Sequence, residues 1–185
     1  MSMISTPSGL QAVRNLKLQN GKILLIEKSS SASATPDTPP CHTLVKILLK
    51  PAVCSNIFVE IHLPEPQHWN GRFLGLGNGG AAGSINPAIF TKPLHDGYAA
   101  ASTDLGTSPN PDSGIGNREV WKDFGFRATH LMTLAAKEVI RAFYGREPAF
   151  SYFSGSSTGG QQALQEAQRY PEDYDGILAR LPAHC

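Results

Sequence analysis

The sequence predicts an α/β fold in which antiparallel strands open a mainly parallel sheet and helices cover its faces. Three observations lead there. Two β-leaning runs at 43–49 and 57–63 follow one another closely, as an antiparallel pair would. The stretch 98–103, with three consecutive alanines, is small and uncharged, as a strand covered on both faces would be. Beyond it, segments of helical and strand character alternate, the pattern of a sheet with helices packed on it.

The elements follow in order. Around Asn20-Gly21, residues 16–26 mix apolar and polar positions, which suits a hairpin turn or a strand edge. Residues 29–40 are rich in Ser and Pro and read as a linker, so an N-terminal strand and loop region (1–40) precedes the main domain at 41–185. In the run 57–63, Ile57, Val59, Ile61 and Leu63 alternate with Phe58, Glu60 and His62, giving a half-buried strand closed by Pro64. Residues 72–76 form a third short strand leading into a glycine cluster. Ala128, Leu131, Ala135, Val139 and Ala142 step three or four residues along a helix over 127–143, ended by Gly145 and Pro148. A strand at 150–153, a helix over 161–170 and a last strand at 177–181 complete the order.

At 185 residues and 19.9 kDa, with 41% apolar and 17% charged residues, the chain suits one domain with a real core. A formal net charge of +1 offers no electrostatic basis for nucleic acid or an anionic membrane as partner. No apolar run approaches the roughly 20 residues of a spanning helix. The start of the sequence lacks the basic and apolar regions of a secretory signal. Cys41, Cys54 and Cys185 are too few for a disulfide scaffold, and none has neighbouring ligands at zinc spacing, so no metal site is expected.

Gly155-Ser156-Ser157-Thr158-Gly159 matches G-x-S-x-G around Ser157, with an apolar strand running in and a helical segment running out. A nucleophile on a sharp strand-to-helix turn needs neighbours without side chains, here Gly155 and Gly159, because the backbone folds tightly there. The hydroxyl of Ser157 then stands clear of the sheet, and the Thr158 N–H at the helix start can stabilise an oxyanion. Upstream, Gly75, Gly77 and Gly80 spell G-x-G-x-x-G, and Asp104 follows the next strand, which opens a dinucleotide-binding reading. Gly83 and Pro87 are poor material for the helix that reading needs. The alternative is a loop whose Gly79 or Gly80 N–H supplies a second oxyanion donor beside Ser157.

These residues resemble the tannase and feruloyl esterase family from about residue 41 to 182. The resemblance rests on Trp69-Asn-Gly-Arg-Phe73, Gly77-Asn-Gly-Gly80, Ala101-Ser-Thr-Asp104, Asp123-Phe-Gly-Phe-Arg127 with His130, and above all Ser151-Tyr-Phe-Ser-Gly-Ser-Ser-Thr-Gly-Gly160. Glu166-Ala-Gln-Arg-Tyr-Pro171 and Asp175-Gly-Ile177 extend it. It implies a partial α/β-hydrolase fold and a serine carboxylic ester hydrolase with Ser157 as nucleophile and a small phenolic acid ester as substrate. It further implies typically secreted relatives, and a calcium-holding lid that this chain lacks; no cofactor is expected here. Where family members carry Cys before the nucleophile, this chain has Ser156, so the disulfide from that position cannot form. The family's Asp-x-Gly-His appears as Asp104-Leu-Gly-Thr107.

An acyl-transfer triad runs Ser, acid, His along the chain in this fold. After Ser157 stand Glu166, Glu172, Asp173, Asp175 and His184. The carboxylates read as a solvated helix and turn, and a Ser157–His184 pair is disfavoured because His184 follows the strand next to the nucleophile helix. His42, His62, His68, His95 and His130 precede Ser157 and read as surface or packed residues. The sequence therefore points to an incomplete esterase without its catalytic Asp, His and lid. The alternatives are a non-catalytic hydrolase-like remnant or binding module and, less favoured, a dinucleotide-binding protein.

Overall fold

Alternation of buried and exposed side chains builds the sheet. β2 (His42–Leu49) and β3 (Ile57–Pro64) pair antiparallel in full register, from His42 opposite Pro64 to Leu49 opposite Ile57. Val45, Ile47, Ile57, Val59 and Ile61 from these strands are buried together. β1 (Gly21–Ser29) adds antiparallel outside β2, so Asn20, at φ 55°, turns the chain into a strand edge rather than closing a local hairpin. The computed structural model describes residues 8–29, 36–107 and 114–183; residues 30–35 of the Ser/Pro-rich 29–40 stretch and His184 lie outside them.

β4 (Arg72–Leu76), β5 (Ala99–Thr103), β6 (Phe150–Ser157) and β7 (Gly176–Pro182) complete a seven-stranded sheet in the order β1-β2-β3-β5-β4-β6-β7. The β3–β5 pairing is antiparallel, whereas β5, β4, β6 and β7 run parallel. The mixed sheet is thus the one the sequence predicts, with the parallel half carrying the later elements.

Helices cover both faces. α1 (Gly9–Arg14), α4 (Ala128–Tyr144) and α5 (Thr158–Arg169) contribute to the larger core, in which Ala99 and Ala101 of β5 are buried with Met132, Ala136, Val139 and Ala163. Ala100 points the other way, to Phe90 and Leu94 from a 3-10 turn at Pro87–Phe90 and from α2 (Thr91–His95). That explains the three alanines: helical elements pack on both sides of β5 and leave room for methyl groups only. No helix among the described residues is long and apolar enough to cross a membrane.

One element departs from regular helix. After α3 (Arg118–Lys122), capped by the Asn117 side chain, residues Asp123–Arg127 make a π-turn before α4 begins. The buried Asp123 carboxylate anchors it, accepting from Arg127 Nε and from Ser55 Oγ, each at 2.6 Å.

Candidate active site

Ser157 ends β6, and α5 starts at the next residue. Its backbone sits at φ 58°, ψ −120°, which an L-residue adopts only when its surroundings impose it. Here they do. The Ser157 carbonyl accepts from Ala183 N at 3.0 Å, and Gly159 N donates to Asn78 O at 2.8 Å. A Cβ on Gly155 would run into the Gly159 backbone, and one on Gly160 would lie 2.7 Å from Arg180 O and Pro182 Cα. These glycines let α5 rest directly against β6 and β7. The helix therefore begins three residues before the position its side-chain periodicity suggests, with Gly159 and Gly160 inside it. Ser157 itself is exposed at the carboxyl end of its strand.

Thr158 occupies the first helical position, where an N–H has no partner within the helix. Its hydroxyl donates to Gly80 O at 2.7 Å, which ties the helix to the loop after β4. In that loop Gly79 and Gly80 are exposed, and neither N–H takes part in a hydrogen bond among the described residues. Neighbours brace the loop at several points. Thr107 Oγ1 donates to Ala81 O at 2.9 Å, and Gly83 N to Asp104 O at 3.0 Å. Asn78 is held on every polar group: its side chain donates to Thr103 O, and Gln162 bonds both its N–H and its side-chain oxygen. The bracing roles of Asn78, Thr107 and Gln162 are not legible in the sequence, because they depend on contacts 25 to 84 residues apart.

The glycines of the G-x-G-x-x-G run serve this packing. A Cβ on Gly75 would stand 2.5 Å from Tyr174 Oη, and one on Gly77 would stand 2.6 Å from Gly159 Cα. The next helical turn comes only at Pro87–Phe90, so no helix N-terminus follows Gly80 to receive a pyrophosphate. Asp104 faces inward, its Oδ1 accepting from Phe58 N and Gly106 N, and burial pushes its carboxyl up to about 6. It braces a loop and is not placed to read a ribose.

Other candidate groups lie elsewhere. Asp175 Oδ2 accepts from Ser151 N at 2.7 Å, at the opposite end of β6 from Ser157 and so roughly 20 Å away at the rise of an extended strand. His42 and His62 are buried neighbours on β2 and β3, with His62 stacked on Phe90. His68 and His95 are exposed. No histidine or carboxylate among the described residues is hydrogen-bonded to Ser157 Oγ.

Glu166 and Asp173 correct the expectation of a solvated helix and turn, since both are buried. Asp173 Oδ2 contacts His130 Nδ1 at 2.6 Å, and His130 stacks on Tyr170. Glu166 faces the same cluster, and burial together with the Asp173 charge pushes its carboxyl up to about 8. A protonated Glu166 can donate to Asp173, which reconciles two buried acids side by side. These three residues form the one cluster of metal-ligand type among the described residues, but their 2.6 Å contact is that of a strong hydrogen bond.

Comparison with known proteins shows the family and the fold. The family model described as tannase and feruloyl esterase matches residues 41–185. A probable feruloyl esterase of Arthroderma benhamiae is 37% identical over 140 residues, covering 71% of this chain and 26% of the relative. A probable feruloyl esterase B-2 of Aspergillus flavus is 40% identical over 130 residues, covering 70% and 25%. The chain thus spans about a quarter of the length of the curated relatives it matches. The crystal structure of feruloyl esterase B from Aspergillus oryzae superposes with a TM-score of 0.82 at 28% identity, over 95% of this chain and 37% of that one. The fold is that of the α/β-hydrolase esterases.

Proposed function

The chain belongs to the tannase and feruloyl esterase family, and on that footing we propose that it carries the nucleophile and oxyanion elements of a carboxylic ester hydrolase acting on phenolic acid esters. The observation that carries the reading is Ser157: an exposed hydroxyl at positive φ, between a strand's carboxyl end and a helix, flanked by glycines that admit no side chain. That is the arrangement a serine nucleophile needs in order to meet a carbonyl carbon from above the sheet.

In this mechanism Ser157 Oγ attacks the ester carbonyl and its proton leaves to a base. The tetrahedral oxyanion is stabilised by the Thr158 N–H and by a glycine N–H at Gly79 or Gly80. Collapse expels the alcohol and leaves an acyl-enzyme, which water hydrolyses by the reverse sequence. The fixed loop and helix start favour this reading, since donors held before the reaction lose nothing by reorienting during it. Catalytic turnover depends on a base and an acid beyond the described residues, because none of these bonds Ser157.

The test is a serine-directed aryl phosphonate together with an aryl ester assay. A covalent adduct on Ser157, absent in Ser157→Ala, is the expected result. Saturable binding of a phenolic ester with equal affinity in both proteins, and no adduct, would support the second reading, a hydrolase-like binding module. That no base among the described residues is hydrogen-bonded to Ser157 Oγ is what favours that second reading.

A further inference from the structure

Gln162 lies on α5, one turn after the nucleophile, and its side chain is buried. Its Oε1 accepts from Asn78 N at 3.0 Å, and its Nε2 donates to Asn78 Oδ1 at 3.1 Å. The remaining groups of Asn78 are also assigned, with Nδ2 donating to Thr103 O at 2.6 Å and its carbonyl accepting from Gly159 N at 2.8 Å. The donors and acceptors fit in only one sense. A backbone N–H must find an acceptor, so Gln162 presents oxygen there and nitrogen to the Asn78 side chain. A planar amide offers the acceptor and the donor side by side at neutral pH.

We propose that Gln162 is the positioning residue of the oxyanion loop: by gripping Asn78 at two points it sets where Gly79 and Gly80 present their N–H groups to the ester carbonyl. This deepens the esterase reading above and rests on it. The ties from Thr158 to Gly80 and from Thr107 to Ala81 are single hydrogen bonds that fix a distance. Two bonds from one planar amide fix orientation as well. The residue bridges 84 positions of sequence, joining the loop after β4 to the helix that starts directly after the nucleophile. The fit is close, since a Cβ on Gly77 would stand 2.9 Å from Gln162 Oε1. A cavity of about 280 Å³, lined by Thr158 and Gln162 together with Phe124, Gly125 and Gln161, leaves room for a substituted side chain to adjust.

Two variants test the assignment. Gln162→Leu keeps the volume and removes both bonds. Gln162→Glu keeps the acceptor, and it regains the donor only when protonated, a form that burial favours. Two readouts are taken on each: amide hydrogen exchange over residues 76–81, and the rate of Ser157 modification by an aryl phosphonate relative to wild type at each pH. Gln162→Leu should exchange at least 10-fold faster over 76–81 and react at least 10-fold more slowly. Gln162→Glu should approach the wild-type rate at pH 5 and fall progressively behind it toward pH 9. Unchanged exchange in Gln162→Leu, or a constant ratio for Gln162→Glu across that range, would overturn the proposal. Should Gln162→Leu fail to fold, the pH series on Gln162→Glu decides alone. Should wild type form no adduct at Ser157, the esterase reading fails, while exchange over 76–81 in both variants still decides whether Gln162 holds the loop.

Discussion

Thr158 Oγ1 donates to Gly80 O at 2.7 Å, so the residue after the nucleophile holds the glycine loop through its side chain and leaves its own N–H for a ligand. Thr158→Val removes the bond at constant shape and strands a part-buried carbonyl. It should cost about 1 kcal/mol of stability by denaturant titration and slow modification of Ser157, whereas Thr158→Ser should retain most of both.

The glycines divide into two kinds. Gly155→Ala would force a methyl group into the Gly159 backbone, which no rotamer change relieves. It should destabilise by roughly 3 kcal/mol or more, seen as a lost or strongly lowered thermal transition. Gly79→Ala meets nothing within 4 Å and should change stability by less than about 0.5 kcal/mol. Its N–H survives, so loss of Ser157 reactivity there without loss of fold would point to crowding of the ligand.

Strain at Ser157 predicts an inversion of the usual order of residue effects. Glycine in place of alanine ordinarily costs stability, but at φ 58°, ψ −120° glycine is the unstrained residue. Ser157→Gly should therefore be more stable than Ser157→Ala by about 1 kcal/mol, with neither labelled by a phosphonate.

The Glu166 carboxyl, pushed up to about 8 by burial and by Asp173, gives a pH dependence of defined sign. Its folded-state affinity for the proton exceeds that of the unfolded chain, whose carboxyl stays near 4.5. The stabilisation is complete below that value and is lost as pH rises through about 8. Glu166→Gln cannot ionise and can still donate to Asp173. The variant should melt close to wild type at pH 5 and several degrees above it at pH 8.5, on the order of 5 °C for a chain of this size. Parallel melting curves at both pH values would contradict the raised Glu166 carboxyl.

Much of this architecture is legible in the sequence because it depends on local periodicity. Ile57, Val59 and Ile61 announce a strand by alternation, and Ala128, Leu131, Ala135 and Val139 announce a helix by their steps of three and four. The elbow is legible for a different reason: its glycines are demanded by backbone contact and leave a spelled motif. What stays hidden is carried by distant pairs. Gln162 looks like any polar helical residue until Asn78 is brought beside it. Glu166 and Asp173 look solvated until α4 covers them with His130. The π-turn at Asp123–Arg127 is equally silent, because its cause is a buried carboxylate held by Ser55 from another part of the chain. The start of α5 is displaced for the same reason, since Gly159 and Gly160 oppose helix by propensity and are kept there by packing.

Among the described residues no strand pairs with the outer side of β7, and Leu178 and Leu181 on it are 54% and 84% exposed. A parallel edge beside bare leucines invites pairing with a second copy. Two molecules must meet for that to happen, so loss of dispersed chain should steepen with concentration, as light scattering over a dilution series would read.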